Sequence, residues 1–166
     1  VSATITLTQG RVAIVDEADH EWLSQWKWCA TTRGRNGELV AIRNVWERGQ
    51  HSMILMHRAL LDAPEGMLVD HINHDPLDNR RSNLRLCTQT ENLANQRKTR
   101  GSSAFKGVYW DRSRQAWAAQ IGRHGTPGAF LGRFASELDA AEAYDAAAAE
   151  RWGEFALLNF SEQVRP

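Results

Sequence analysis

Between Gln96 and Ala104 the chain reads QRKTRGSSA, a basic and then Gly/Ser-rich stretch without apolar periodicity. Such a stretch has nothing to bury, so it acts as a linker, and the chain on either side must close a core of its own. The expected organisation is a first domain over residues 1–96, a basic linker over 97–104 and a second domain over 105–160. With 166 residues and 42% apolar content, two small cores are affordable and a third is not. No run of eighteen apolar residues and no charged-then-apolar leader is present, which predicts a cytoplasmic chain with no membrane partner. Cys29 and Cys87 stand far apart and outside any CxxC pair, so free thiols are expected, with neither a disulfide framework nor a structural zinc.

The first part opens with a hairpin signal: Ile5 and Leu7 alternate with threonines, Gln9-Gly10 marks a turn, and Val12 to Val15 resumes an extended run. Asp16 can cap a short helix through Trp22, Leu23 and Trp26. Trp28 to Thr32 and Leu39 to Trp46 bracket Arg35-Asn36-Gly37, a hairpin turn, and Met53 to Met56 is a fourth extended stretch running into His57 to Leu61. Trp22, Trp26, Trp28 and Trp46 read as core of this small antiparallel sheet rather than as stacking platforms. The pattern then changes to strand (Gly66 to Val69), polar loop (Asp70 to Ser82), strand (Leu84 to Cys87) and helix. The helix is signalled by the capping box Thr88-Gln89-Thr90-Glu91.

Beyond the linker, Lys106 to Trp110, Ala116 to Ile121 and Ala129 to Phe134 predict three strands. A helix follows from a Ser136 cap to Gly153, with Leu138, Ala141, Tyr144, Ala148 and Trp152 on one face. Its alanines let it lie close against a sheet. The fold class expected is α+β: a small antiparallel-sheet region leading into a strand-loop-strand-helix unit, then a three-stranded antiparallel sheet packed on one helix.

The formal net charge is zero, which by itself argues against a polyanion binder. The average conceals a segregation. From Asn79 to Arg133 eleven basic residues face two acids, Glu91 and Asp111, a balance of +9, whereas Phe134 to Glu154 holds six acids against Arg151 alone. A positive stripe backed by a negative helix suits double-stranded DNA.

Asp70-His71, Asn83 and Asn92 carry the chemistry. Phosphodiester hydrolysis needs a base to make hydroxide from water and a divalent cation to stabilise the leaving oxygen. A carboxylate with an amide oxygen suits Mg²⁺ or Mn²⁺, and His71 and His74 without cysteines do not define a zinc site. Residues His57 to Gln96, with HRALLDAPEGMLVDHINHDPLDNRRSNLRLCTQTENLANQ, resemble the HNH endonucleases of the phage homing-enzyme type, whose fold is a ββα-metal motif. The resemblance rests on the DH pair, the NLR at the second strand and the EN in the helix. It implies His71 as general base, Asp70 and Asn92 as metal ligands, and Asn83 as the residue whose amide holds the imidazole, with Asn95 a second helical candidate. Asn92 stands where many members have a histidine. His57 reads as packing or as support behind the site, His74 as a loop residue, and Arg58, Arg80, Arg81 and Arg85 as phosphate contacts.

Residues Phe105 to Phe160 resemble the ethylene-response-factor (APETALA-type) DNA-binding domain of plant transcription factors, through KGV, WAAQI, LGRF, AAEAYDAAA and LNF. The resemblance implies that the three-stranded sheet lies in the major groove. The matching positions are Lys106, Tyr109, Arg112, Arg114, Gln120, Arg123 and Arg133, supplemented by Arg97, Lys98 and Arg100 of the linker. Trp110 and Trp117 are equally suited to core or contact. Tyr109 replaces the usual arginine, so the plant target does not transfer.

Two functions are therefore expected to compete. The first is a phage- or mobile-element-type DNA endonuclease in a bacterial host cell, monomeric or weakly dimeric, that nicks, or cuts both strands if two copies meet. The alternative is a DNA-binding regulator with a degenerate HNH domain.

Overall fold

The computed structural model describes residues 1–33, 37–97, 100–122 and 128–160. Its residues divide into two compact units, Val1–Gln89 and Thr90–Pro166. Among the described residues there are several small antiparallel sheets and four α-helices, a mixed α and β architecture.

In the first unit, β1 (Ser2–Thr6) pairs with β2 (Val12–Asp16), and α1 (Glu17–Leu23) follows directly. The expected helix thus stops at Leu23, short of Trp26. A second sheet has the order β3 (Cys29–Arg33), β4 (Glu38–Glu47) and β5 (Gln50–Leu55). The start of β5 lies ahead of the apolar run at Met53, because Gln50, His51 and Ser52 are exposed edge residues that periodicity does not mark. Arg48 and Gly49, both at positive φ (50° and 78°), form the two-residue turn that sets its register. Of the Arg35-Asn36-Gly37 turn, Arg35 and Asn36 lie outside the described residues.

After α2 (Met56–Leu60), β6 (Leu68–His71) pairs with β7 (Leu84–Cys87). The core of this unit joins the β1–β2 hairpin (Ile5, Leu7, Ala13, Val15) to Leu23, Trp28, Met56, Leu60 and Leu84. Trp28 is 1% exposed and donates its indole N–H to the Leu23 carbonyl at 2.9 Å. Trp46, by contrast, is 73% exposed at the end of its hairpin, and Trp22 is exposed too, so only part of the expected tryptophan core is internal. Cys29 is half-buried and Cys87 buried.

In the second unit α3 (Gln89–Asn95) begins after Thr88, and a sheet of order β10 (Ala129–Phe134), β9 (Ala116–Ile121), β8 (Val108–Asp111) packs on α4 (Glu137–Trp152). Ser136 caps α4 through the Leu138 N–H at 3.1 Å. Val108, Ala119, Ala140 and Ala141 are buried, with Trp117, Leu131 and Phe134 packed around them. Trp117 is therefore a core residue, and Trp110 meets its ring edge-on at 5.1 Å.

Two devices hold this unit shut. The Asp145 carboxylate accepts the backbone N–H groups of Asn159 and Phe160, both at 2.8 Å. The Asn159 amide in turn accepts from Lys106 N (2.6 Å) and donates to Lys106 O (3.1 Å), pairing with the backbone as a strand would. At the entrance to β8, Gly107 sits at φ +76°, and a Cβ there would lie 1.9 Å from the Tyr144 ring. Gly107→Ala should therefore destabilise the second unit by about 2 kcal/mol or more through strain and overpacking. Thermal melting would report this as a loss of roughly 10 °C; an unchanged melting temperature would contradict the close approach.

Candidate active site and DNA-reading face

Asp70 and His71 are consecutive in β6, so their side chains leave on opposite faces of the strand. Asp70 pairs across the ladder with Arg85, and that register places two guanidinium N–H groups on its Oδ2, at 2.9 and 2.8 Å. The pair is nearly dry, with side-chain exposures of 12% for Arg85 and 8% for Asp70. His71 lies half-buried, its ring edge-on to His57 at 5.1 Å and 90°. Burial lowers the His71 pKa below its usual value, partly offset by the Asn79 side chain and the charges of Asp70, Asp75 and Asp78. Burial, then the charges of His71, Arg58 and Arg33, push His57 down to about 3. Both imidazoles are neutral at pH 7, which is the state a general base requires.

The loop between the two strands is tightly bonded. Asn83 accepts the Asn73 N–H on Oδ1 at 2.9 Å and donates through Nδ2 to the Asp78 carbonyl at 2.7 Å. Both of these bonds go to the loop backbone. Asn79, fully buried beside the ring, is a residue that motif reading missed. Asp78 receives Asn73 Nδ2 (2.8 Å) and two bonds from Arg80 (2.8 and 2.6 Å), which hold its carboxyl below the usual range. His74 sits at φ 63°, in the left-handed region that favours glycine.

Residues 1–23 supply the frame for this loop. The Ile14 N–H donates to Leu77 O at 2.8 Å and Asn79 N–H donates to Ile14 O at 2.7 Å, while Asp16 accepts Arg81 N and Asp19 takes two guanidinium bonds from Arg81.

Several of the expected phosphate contacts are thus engaged within the protein. Arg58 donates to the carbonyls of Met67, Ala63 and Pro64 and clamps the turn before β6. Arg80, Arg81 and Arg85 face Asp78, Asp19 and Asp70, acids that precede the window over which the stripe was counted. Lys106 donates its ammonium to the Ala94 and Leu93 carbonyls at the end of α3, and burial pushes its pKa down to about 8. Arg97 and Arg100 are exposed, and Lys98 and Arg123 lie outside the described residues.

On the sheet of the second unit the register aligns Tyr109, Ala118 and Arg133 in one row and Gln120 with Phe130 in the next, on the side opposite Val108 and Ala119. Arg133 bonds Asp111 at 3.0 Å and lies over the Phe130 ring at 5.0 Å. Ser113 and Arg133 hold Asp111 down to about 2. Arg112 and Arg114 are exposed in the turn that joins β8 to β9. Asn92 is half-buried on α3, in the second unit, and Asn95 is buried. Among the described residues, no cluster of three or more His, Cys, Asp or Glu is placed to hold a metal ion, and no helix is long and apolar enough to cross a membrane.

The stretch that carries this strand-loop-strand geometry matches a known family. Residues 62–94 match the HNH endonuclease family. Protein 3.8 of Escherichia phage T7 is 32% identical over 71 residues, 42% of this chain and 59% of that protein. The AP2-like ethylene-responsive transcription factor AIL7 of Arabidopsis thaliana is 44% identical over 63 residues, 37% of this chain. A second such factor, CRL5 of Oryza sativa subsp. japonica, is 36% identical over 99 residues, 54% of this chain. The chain spans only 13% and 15% of these two plant proteins. It therefore pairs an HNH-family segment with an AP2-like one.

The neutral, buried His57 has a consequence for stability. Below pH 6.5 an unfolded chain takes up a proton that folded His57 refuses until about pH 3, so acidification through that window favours unfolding. This group contributes up to about 1.4 kcal/mol per pH unit. His57→Phe keeps a ring and removes the proton, so urea unfolding between pH 7 and 5 should show a shallower loss than in the native protein; equal slopes would contradict the buried, neutral assignment.

Proposed function

We propose that the protein is a DNA endonuclease in which the β6-loop-β7 segment hydrolyses a phosphodiester and the second unit supplies DNA affinity. The observation that carries this reading is the HNH-family match laid over a strand pair that presents His71, neutral and half-buried, at the end of β6.

In this reading His71 accepts the proton of the attacking water at a ring nitrogen. His57 packs its edge, Asn79 lies beside it, and Asn83 fixes the loop that aims it. Asp70 and, on α3, Asn92 are the residues this reading would assign as ligands of a metal. Their donor set, one carboxylate and one amide, consists of hard oxygens that fit Mg²⁺ or Mn²⁺ completed by water and phosphate. When bound, such an ion supplies charge neutralisation at the phosphate and the leaving oxygen. Tyr109, Gln120 and Arg133 on the sheet, with Arg112 and Arg114 in its turn and Arg97 and Arg100 ahead of it, form the DNA contact. Arginine can bond two acceptors of guanine and glutamine can bond adenine, which gives partial sequence preference.

One observation favours the regulator with a degenerate centre: Oδ2 of Asp70 carries two bonds from Arg85. The two readings part in one assay. Supercoiled plasmid incubated with Mg²⁺ or Mn²⁺ should be nicked by the native protein, and both EDTA and His71→Ala should remove the activity, the latter by at least about 10²-fold as expected for loss of a general base. DNA binding without nicking by the native protein in either metal would establish the regulator instead.

A further inference from the structure

On a regular strand, residues three apart leave on opposite faces. In β10 Phe130 and Arg133 leave on the same one, because the register slips between them: Phe130 pairs with Gln120, but Gly132 pairs with Ala119 and Arg133 with Ala118. Leu131 is the extra residue and packs into the core, as does Phe134. Gly132 carries the bulge at φ +142°, a conformation that glycine adopts without a side-chain clash. A bulge breaks the ladder locally in order to re-aim a side chain, and bulges gather at functional sites. Here it sets an aromatic ring and a guanidinium side by side on the open face of the sheet.

The guanidinium is held in place. Arg133 Nε donates to Asp111 Oδ2 at 3.0 Å, and its Cζ stands 5.0 Å from the centroid of the Phe130 ring. The central strand β9 runs between Arg133 and Asp111, and its residues on this face, Ala116 and Ala118, are small enough to let the long side chain cross. With Nε engaged by the carboxylate, the two Nη groups remain as a pair of parallel donors. Beside them Phe130 is 54% exposed, an apolar surface that the core of the unit does not use. Arg112, Arg114 and Arg133 against Asp111 leave this end of the sheet with a surplus of two positive charges, which suits a polyanion.

Paired donors match O6 and N7 of guanine, and a phenyl ring matches the C5-methyl group of a pyrimidine; in B-form DNA these groups lie in the major groove. Neighbouring base pairs are about 3.4 Å apart, so a second neighbour stands about 6.8 Å away, beyond the separation of ring and guanidinium. The ring therefore meets the base pair next to the guanine. We propose that Phe130 and Arg133 are the specificity-determining pair of the second unit, reading a C5-methyl pyrimidine and the guanine beside it in duplex DNA. Thymine and 5-methylcytosine both present that methyl group. This inference rests on the reading of the sheet as a DNA contact and names what that contact selects.

The test uses the native chain, Phe130→Ala and Arg133→Met, each selecting duplexes from a pool with a random central segment, in EDTA so that no strand is cut. Both substituted residues are exposed, and in Arg133→Met the Asp111 carboxylate keeps its bonds from Ser113 and Arg114. The native selection should converge on sites in which a thymine adjoins a guanine at one fixed place. The preference for thymine should vanish in Phe130→Ala, and that for guanine in Arg133→Met. In the selected duplex, uracil for thymine should weaken native binding about fourfold, the worth of one buried methyl group, and leave Phe130→Ala binding unchanged. Replacing the guanine by 7-deazaguanine, which lacks N7, should weaken native binding about tenfold and leave Arg133→Met binding unchanged. A site made with cytosine in place of thymine identifies the source of the methyl group: recovery on methylating that cytosine shows that either base is read, and no recovery restricts the reader to thymine. Native binding indifferent to uracil, a uracil defect that persists in Phe130→Ala, or convergence on sites without this step would overturn the proposal. Selection that never converges, from a protein that still binds DNA and nicks plasmid, would overturn it while leaving the endonuclease reading in place. A native chain that binds no DNA would overturn both.

Discussion

The candidate site of the first unit depends on how one polar loop is held. The loop is mostly polar, with Leu77 packed against the core of the unit, so most of its backbone groups must be satisfied one by one. The β2 strand does this at Leu77 and Asn79, and Asn83 does it at Asn73 and Asp78. Each bond alone contributes about 1 kcal/mol net, but together they fix the chain on either side of the loop. The N-terminal hairpin and α1 are therefore not an accessory: Ile14, Asp16 and Asp19 are the wall against which the loop is built.

The second unit solves a different problem. A helix rich in alanine gives close approach to a sheet but little apolar area, so polar latches make up the difference. Asp145 and Asn159 tie the chain end to the start of β8, and Gly107 brings the backbone against Tyr144. With the helix side of the sheet filled in this way, the opposite side is left with Tyr109, Gln120, Phe130 and Arg133, a mixed polar and aromatic face of the kind that can meet base edges and phosphates. Arg133 is ordered there by its ion pair with Asp111 and by the Phe130 ring.

Most of the secondary structure was legible because it rests on local signals: alternation in β1, β2, β8, β9 and β10, the Ser136 cap, and the polar interval between β6 and β7. The start of β5 was not, since its residues are exposed and its register comes from the positive φ of Arg48 and Gly49. In the candidate site, Asp70, His71 and Asn83 were visible as a spaced motif. Asn79 was hidden among other polar loop residues, because its role comes from full burial, which no sequence pattern displays. The charge count leaves out pairings made across the fold. A window along the chain treats Arg81 and Arg85 as unpaired cations, but their partners, Asp19 and Asp70, lie 62 and 15 residues away in sequence. Lys106 shows the same limit: its motif position suggested DNA, and only the fold reveals the α3 carbonyls beneath it.

The proposed division of roles gives cutting to the first unit's strand pair and DNA affinity to the exposed charges of the second unit. The most direct measurement is single-turnover cleavage of a labelled duplex at increasing protein concentration, comparing the native chain with the Arg112→Ala, Arg114→Ala double variant. The account predicts that the protein concentration giving half the maximal rate rises, by about tenfold if both lost contacts are to phosphate, while the maximal rate itself stays unchanged. A reduced maximal rate with an unchanged half-saturating concentration would contradict this division of roles.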